Sequence, residues 1–417
     1  MKKIYVFIII LLVSGTTVFA QEPDLSIYWE EYNRSNATIS EMLGVLKAVR
    51  DENQTGIGSF YRDAIRVFVQ RLPNYTSNQD RLAIEEISSL LFRGLSAEKQ
   101  TDAALYVWQL VHYFDISHRP NDGILMYEAI VTLGQIDAKD FASYIAILLE
   151  RYNERSAVDP IYKSITQVVV PGTINALETL GEPVGVRPIF FASIGWYDND
   201  LKAIASKALV NLMNKLGDTI GEIIIGIIND LFNSPSVKNA AWQEFLQTTT
   251  VSDEVKAKVA SVALEASYTF ITSSRESLAI LRIMRVTAID KIREVGIADE
   301  TEYAFLERTY REALEGADTD YETIILVIRT LTAVNTEESV NLLTEFLRGL
   351  HYRKRSGLWG SRERDLISII ISAISTTGTQ ARPTIQLLTV IQNSAIYTIA
   401  EQNWARNALA TLARSNR

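Results

Sequence analysis

One short pattern in this sequence has the spacing of a serine nucleophile and an activating lysine. Ser96 and Lys99 match S-x-x-K, which on a helix places the lysine amine one turn from the serine hydroxyl. The S-D-N and K-T-G motifs that accompany this pattern in acyl-transferring enzymes are absent from the chain. Because Ser96 also stands where a helix N-cap is expected, the sequence favours a capping role for it.

A second candidate site combines acids with aromatic rings. The segment Trp196-Tyr197-Asp198-Asn199-Asp200 places two carboxylates beside two rings of the kind that stack on sugars. Such carboxylates could serve as the acid and base of a glycosidase built on a toroid of helical hairpins, a fold of about this size. No second acidic and aromatic loop pairs with this one, and Asp200 is placed to cap the next helix. The sequence favours the cap, with the glycan-active enzyme as the alternative.

Other catalytic and metal chemistry has no support in the sequence. The 417 residues include no cysteine, so thiolate nucleophiles, disulfides and thiolate metal sites are excluded. His112, His118 and His351 do not lie at helical i, i+4 spacing with a carboxylate, and a core or interface imidazole, rather than a ligand or base, is expected at His112. Phosphate-loop, dinucleotide-binding, zinc-protease and nucleophile-elbow motifs are absent. The sequence therefore predicts no catalytic residue, no metal, no cofactor and no enzymatic activity.

The amino-acid composition indicates which secondary structure would carry any functional site. Only 20 glycines and 9 prolines occur, too few for the frequent turns of a sandwich, barrel or propeller, while 47% of the residues are hydrophobic. An all-α fold is therefore predicted. The formal charge of −9 argues against a general nucleic-acid or anionic-membrane binder.

The first twenty residues have the layout of a cleavable secretory signal. Lys2 and Lys3 precede the apolar run Ile4–Val13, and the segment closes on Val18-Phe19-Ala20. This run is shorter than the roughly 20 residues that a membrane-spanning helix needs. We expect cleavage after Ala20, a periplasmic or secreted mature protein, and no membrane span after cleavage.

Helical periodicity dominates the rest of the chain. Its clearest run begins at Ile220 and follows i, i+3, i+4, i+7, i+8, i+11, which puts the residues on one helix face. The run consists of Ile220, Ile223, Ile224, Ile227, Ile228 and Leu231. Ile225 and Phe232 widen this stripe, as expected of a helix covered on two sides. All prolines are expected near helix starts or in joints, with none interrupting a periodic run.

A motif of small and branched residues recurs at uneven intervals. Ala-(Leu/Ile)-x-x-Leu begins at Ala129, Ala176, Ala208 and Ala408. Leu-Gly pairs, which are suited to end a helix on a left-handed glycine, occur at 133–134, 180–181 and 216–217. Small alanines let helices approach closely while leucines fill the space between layers. Since one helix pair cannot bury both of its faces, the sequence predicts stacked pairs.

These residues resemble a known repeat family. Residues 200–212, Asp-Leu-Lys-Ala-Ile-Ala-Ser-Lys-Ala-Leu-Val-Asn-Leu, resemble the second helix of a HEAT repeat, with an aspartate at the turn before spaced alanines and leucines. Val237-Lys238-Asn239-Ala240-Ala241 repeats the start of this pattern. The resemblance covers roughly residues 120–250 and, more loosely, 320–412. It implies a HEAT-like, armadillo-type right-handed α-α superhelix of the kind used as a scaffold. Together with the signal-like first twenty residues, we expect an exported bacterial protein of this type.

The predicted domain organisation follows from these signals. We expect a signal peptide over residues 1–20, an N-terminal helical segment over 21–95 and a HEAT-like array over 96–417. A tetratricopeptide array is disfavoured because its 34-residue period and its motif are not seen.

Charge reverses sign within the C-terminal part of the chain. Residues 294–322 are strongly acidic, whereas 351–364 are basic with a tryptophan between glycines. We interpret the basic segment as the candidate partner-binding site, formed by Arg353, Lys354, Arg355, Trp359, Arg362 and Arg364. The alternative is a solvated joint between repeats. The sequence thus predicts a non-enzymatic exported scaffold for a protein or envelope component, with no nucleic-acid partner and no expected small-molecule substrate.

Overall fold

Helices build nearly all of the structure. The computed structural model describes residues 25–52, 56–117, 119, 121–155, 160–315, 319–358, 360–378 and 381–414. Within these ranges there is no β-strand, and the all-α prediction is confirmed. The predicted signal peptide lies outside the described residues.

The helices follow one another with short joints. The first ten are α1 Ser26–Asn33, α2 Ile39–Asp51, α3 Gly58–Arg71, α4 Asn78–Ala97, α5 Ala104–Ser117, α6 Asp122–Gln135, α7 Ala142–Asn153, α8 Pro160–Leu180, α9 Val186–Ile194 and α10 Asn199–Leu216. The next ten are α11 Ile220–Asn229, α12 Pro235–Phe245, α13 Asp253–Thr269, α14 Arg275–Val295, α15 Glu300–Glu315, α16 Tyr321–Val334, α17 Glu337–Arg355, α18 Ser361–Thr377, α19 Arg382–Asn393 and α20 Ile399–Arg414.

Two compact units divide the chain. Unit 1 holds the described residues up to Phe141 together with Pro160–Leu180, and unit 2 holds those of Ala142–Asp159 and Gly181–Arg417. The predicted division after residue 95 stays a prediction, and residue 95 lies inside α4.

Stacked helix pairs form each unit. In unit 2, α9 packs on α10, α11 on α12, and so on to α19 on α20. Each helix also contacts the helix two places further along, so that odd-numbered helices form a first row and even-numbered helices from α10 a second row. In unit 1, α1, α3 and α5 form one row and α2, α4, α6 and α8 the other. The predicted stack of helix pairs is confirmed within each unit.

Hydrogen bonds about one repeat apart connect neighbouring pairs in unit 2. Trp242 Nε1 donates to Thr287 Oγ1 at 2.8 Å, across 45 residues of sequence. The Tyr268 hydroxyl lies 2.6 Å from Thr309 Oγ1, 41 residues away. Thr344 and Thr384, both buried and 40 residues apart, place their hydroxyls 2.7 Å from each other. These bonds give buried polar groups partners and fix the register between successive pairs.

The apolar run at residue 220 is helical but shorter than predicted. Ile220, Ile224 and Ile228 are buried as expected, yet α11 ends at Asn229 and leaves Leu231 and Phe232 outside the stripe. The prediction for these last two residues is wrong because side chains close the helix early. Asn233 Nδ2 donates to the carbonyl of Ile227, and Lys238 Nζ donates to that of Ile228.

Helix ends and interruptions also differ from the predictions. Gly181 and Gly217 adopt left-handed conformations, with φ of +73° and +56°, and follow helix ends as predicted. Gly134 instead lies inside α6, where a Cβ would stand 3.0 Å from the backbone of Ala176, so its role is close packing against α8. Pro171 lies inside α8, which corrects the prediction that every proline falls in a joint or at a helix start.

Candidate interaction surface

The Ser96 capping prediction is wrong. Ser96 lies in the last turn of α4, a 20-residue helix, so it cannot cap a helix start. Its hydroxyl lies 3.4 Å from Thr132 Oγ1 in the neighbouring α6. Lys99 falls beyond the end of α4 with φ of +49°, so the regular helical spacing on which the S-x-x-K argument depends is not present.

The acidic and aromatic segment before α10 is used for capping and packing. Asp198 rather than Asp200 caps the helix, accepting a hydrogen bond from the Leu201 backbone at 2.9 Å. Trp196 Nε1 donates to the Tyr152 carbonyl at 3.3 Å, and the buried Tyr197 donates to Asn153 Oδ1 at 3.0 Å. Both rings therefore fasten this loop to α7, and Asp200 is left exposed in the first helical turn.

The histidines have different surroundings. His112 is exposed on α5, so it is not a core imidazole, and the interface imidazole that was the other expectation stays a prediction. The side chain of His118 lies outside the described residues. His351 is buried, stacks on Tyr397 and places Nδ1 2.7 Å from the Tyr397 hydroxyl. Burial, with the charge of Arg355 adding to it, lowers the pKa of His351. Across the described ranges, no three histidine or carboxylate side chains are grouped as a metal site requires.

Lys354, which was predicted to contact a partner, forms an ion pair with Glu401 within the chain. Its ammonium lies 2.6 Å from both carboxylate oxygens of Glu401 and 4.4 Å from the centre of the Tyr397 ring. Burial opposes ionisation of Glu401, but hydrogen bonds from Lys354 and Thr398 outweigh it and hold the Glu401 pKa below its usual range. The ion pair fastens the last turn of α17 to the first turn of α20.

The remaining predicted contact residues are distributed unevenly. Arg353 forms an ion pair with Glu363 at 3.2 Å and is partly covered. Arg355 and Arg364 are exposed. Trp359 and the side chain of Arg362 lie outside the described residues. Of the predicted set, Arg355 and Arg364 are the described side chains that present charge to solvent.

Much of the acidic segment is also occupied by internal contacts. Asp320 caps α16 and pairs with Arg282, while Glu312 pairs with Arg285 and Arg308. Glu302 is buried in the first turn of α15, and burial raises its pKa to about 7.

Sequence reasoning missed a row of exposed apolar side chains on unit 2. They lie where first-row helices connect to second-row helices, and we call them the apolar loop edge. Exposed fractions are 90% for Leu231, 99% for Phe232, 97% for Ile271, 64% for Leu358, 44% for Ile396 and 78% for Ile399. The signal in the sequence was the large apolar residues in the short segments 230–234, 270–274, 356–360 and 394–398. At 231–232 these residues were assigned to the preceding helix because they continue its apolar spacing.

Polar contacts hold these exposed tips in place. Asp230 Oδ1 accepts the backbone N–H of Phe232 at 3.0 Å, and its other oxygen pairs with Arg187 at 3.1 Å. These hydrogen bonds, first from the Phe232 backbone and then from Arg187, lower the Asp230 pKa. The Leu358 backbone donates to the Arg353 carbonyl at 3.0 Å after Gly357 turns with φ of +76°. Hydrogen bonds thus hold the backbones of these two loops, whereas the side chains of Leu231, Phe232 and Leu358 are largely exposed.

The opposite edge of unit 2 has a different character. Its joints between α10 and α19 are built from glycine, aspartate, asparagine and threonine at positions such as Gly217, Asp218, Thr249 and Asn335. Among the described residues of these joints, Ile297 is the one large exposed apolar side chain, at 39%. The contrast identifies the apolar loop edge as a specific feature of one side of the unit.

Membrane-spanning segments were sought in the described helices, and none of these combines the length and the apolar character that a span requires. Comparison of the sequence with models of protein families and with curated proteins gave no match.

Proposed function

We propose that this protein is a non-enzymatic, exported scaffold that binds a protein or an envelope component through the surface of a HEAT-like helical array. The observation that carries the proposal is the apolar loop edge, because large exposed apolar side chains on one side of a folded unit mark an interaction surface. The HEAT-like assignment is supported by the stacked pairs and by the Asp-x-x-Ala-x-x-x-x-Ala pattern of α10. Export is supported by the signal-like first twenty residues.

The loop Trp196–Asp200 makes structural contacts with neighbouring helices, and this favours the scaffold over the glycan-active enzyme. Trp196 and Tyr197 are hydrogen-bonded to α7 and Asp198 caps α10, so this segment does not present an acid pair beside free rings.

Site-specific cross-linking tests the proposal directly. A photoreactive residue at position 232 should capture a reproducible component in the native envelope, identified by mass spectrometry. The matched control carries the same residue at position 297 on the opposite edge, where capture should be lower. Equal capture at both positions, or none at 232, would remove the support for this surface.

The exposed arginines of the basic segment form a second, separable contact hypothesis. The double variant R355E/R364E should weaken capture by at least about threefold if both guanidiniums meet an acidic partner. R329E serves as the control because Arg329 is exposed on α16 outside this segment. Unchanged capture in R355E/R364E would restrict the contact to the apolar loop edge.

A further inference from the structure

We propose that the apolar loop edge docks unit 2 on the surface of a zwitterionic lipid bilayer. This inference rests on the proposed function and names the envelope component that the edge recognises. Leu231, Phe232 and Ile271 form one group of tips, and Leu358, Ile396 and Ile399 form another.

The topology of unit 2 brings the tips of each group together. Each second-row helix follows a first-row helix through a short joint and packs against it, so we expect the second-row helices to run in one direction. Helix α12 packs on α14, and α18 packs on α20, so the joints that precede them are neighbours at the same edge. Packed helices lie about 8 to 10 Å apart, which sets the spacing between successive loops.

The loops that carry the tips are almost free of charge. Segments 230–234, 270–274, 356–360 and 394–398 consist of apolar, hydroxyl, amide and glycine residues, with Asp230 as their sole charged residue. Arg187 pairs with that aspartate. Uncharged loops with apolar tips can enter the headgroup region without desolvating an unpaired ion.

The arrangement of the tips favours lipid over a protein surface. Protein interfaces concentrate their energy in one contiguous, well-packed centre. Here the tips stand on separate loops with serine, threonine and asparagine between them, and the described residues of the α15 to α16 joint, Thr319 and Asp320, interrupt the row. A protein partner would need a separate apolar pocket for each tip, spaced as the loops are spaced. In a fluid lipid interface, each tip can insert independently of the others. Because the chain has a net charge of −9, an anionic bilayer would repel it, so the lipid we propose is zwitterionic.

A single-cysteine dye measurement on the full chain tests the proposal. Because the sequence has no cysteine, F232C and I297C each give one labelling site, on opposite edges of unit 2. A polarity-sensitive dye at 232 should shift to the blue on addition of phosphatidylcholine vesicles, and the dye at 297 should not. The blue shift should be unchanged in about 0.5 M salt, because salt does not screen the insertion of apolar side chains.

Vesicle flotation with unlabelled variants gives an independent readout. The double variant L231S/F232S should lower partitioning at least about tenfold, because two nearly fully exposed apolar side chains are lost. I204S is the matched control, since Ile204 is an exposed apolar residue on the face of α10. Circular dichroism melting should be unchanged in both variants.

The possible outcomes separate this inference from the proposed function. Absence of flotation and of a dye shift at 232 would overturn the lipid assignment, as would equal shifts at 232 and 297. If photo-cross-linking at 232 then captured a defined protein, the scaffold function would stand with a protein partner. A dye shift that requires phosphatidylglycerol and disappears in salt would also overturn the inference, because it would indicate electrostatic adsorption.

Discussion

At the residue scale, the buried pair of Lys354 and Glu401 shows why a charged segment in the sequence need not be a binding site. The sequence places Lys354 between two arginines, which suggests a solvated basic surface. Glu401, 47 residues later, is completely buried and accepts both hydrogen bonds from Lys354. No local pattern reveals such a partner, because the contact depends on the fold bringing the first turn of α20 to the last turn of α17.

Removing the Lys354 charge should destabilise the fold. K354M leaves the Glu401 carboxylate buried without its cation, which typically costs about 3 to 5 kcal/mol. We expect a lower denaturation midpoint for K354M, whereas K207M, at an exposed lysine of α10, should change stability by less than about 0.5 kcal/mol. The double variant K354M/E401Q should recover part of the loss. A native midpoint for K354M with weakened partner capture would restore Lys354 to the contact surface.

Glu302 should make stability depend on pH. Its pKa is about 7 in the folded chain and 4.5 ordinarily, so between these values the folded state binds more protons than the unfolded state. The free energy of unfolding should therefore fall as pH rises from about 4.5 to about 7 and show no further change from this group above that. Burial of the carboxyl is the main cause.

The variant E302Q isolates this effect in denaturation curves at about pH 5 and pH 8. Glutamine keeps an acceptor for the Asp299 backbone N–H but does not ionise. The decrease between the two pH values should be smaller in E302Q than in the parent chain by about 1 to 3 kcal/mol. Identical decreases in both proteins would show that Glu302 does not carry the pH dependence.

At the element scale, the boundaries of α11 show how far sequence periodicity reaches. The isoleucine spacing correctly predicts both the helix and its buried face at Ile224 and Ile228. The end of the helix depends on Asn233 and Lys238 reaching back to its last carbonyls, and on the pairing of Asp230 with Arg187. The spacing of apolar residues gives no information on these polar contacts. A prediction from spacing alone therefore placed Leu231 and Phe232 on the buried face of the helix, which is wrong.

A pair of truncations tests this assignment of inside and outside. I224A should cost about 2 to 5 kcal/mol because it opens a cavity at a fully buried position. F232A removes a larger side chain but should change stability by less than about 0.5 kcal/mol, because Phe232 is almost fully exposed. Thermal or urea denaturation of both variants measures the contrast. Similar losses in the two variants would mean that Phe232 is packed in solution.

At the scale of the whole molecule, the pattern of contacts between helix pairs limits how far the effect of one substitution on stability spreads. In unit 2 each helix pair contacts mainly the preceding and following pairs, so stability is expected to be a sum of pair and neighbour contributions. Sequence repeats predicted this organisation through recurring alanines and leucines. They could not predict which edge would carry exposed apolar residues, because that depends on the short joints between helices, such as 230–234, rather than on the repeated positions within them.

The variant L388A tests this nearest-neighbour behaviour by hydrogen exchange. Leu388 is fully buried in α19, so its truncation should destabilise the last helix pair by about 2 to 5 kcal/mol. Amide exchange should accelerate in α17 to α20, where contacts with α19 and its partner are lost, and remain unchanged in α9 to α12. Uniform acceleration across unit 2 would instead indicate a single cooperative folding unit. Local acceleration would mean that the two groups of tips, carried by α12 and α14 and by α18 and α20, can be destabilised separately.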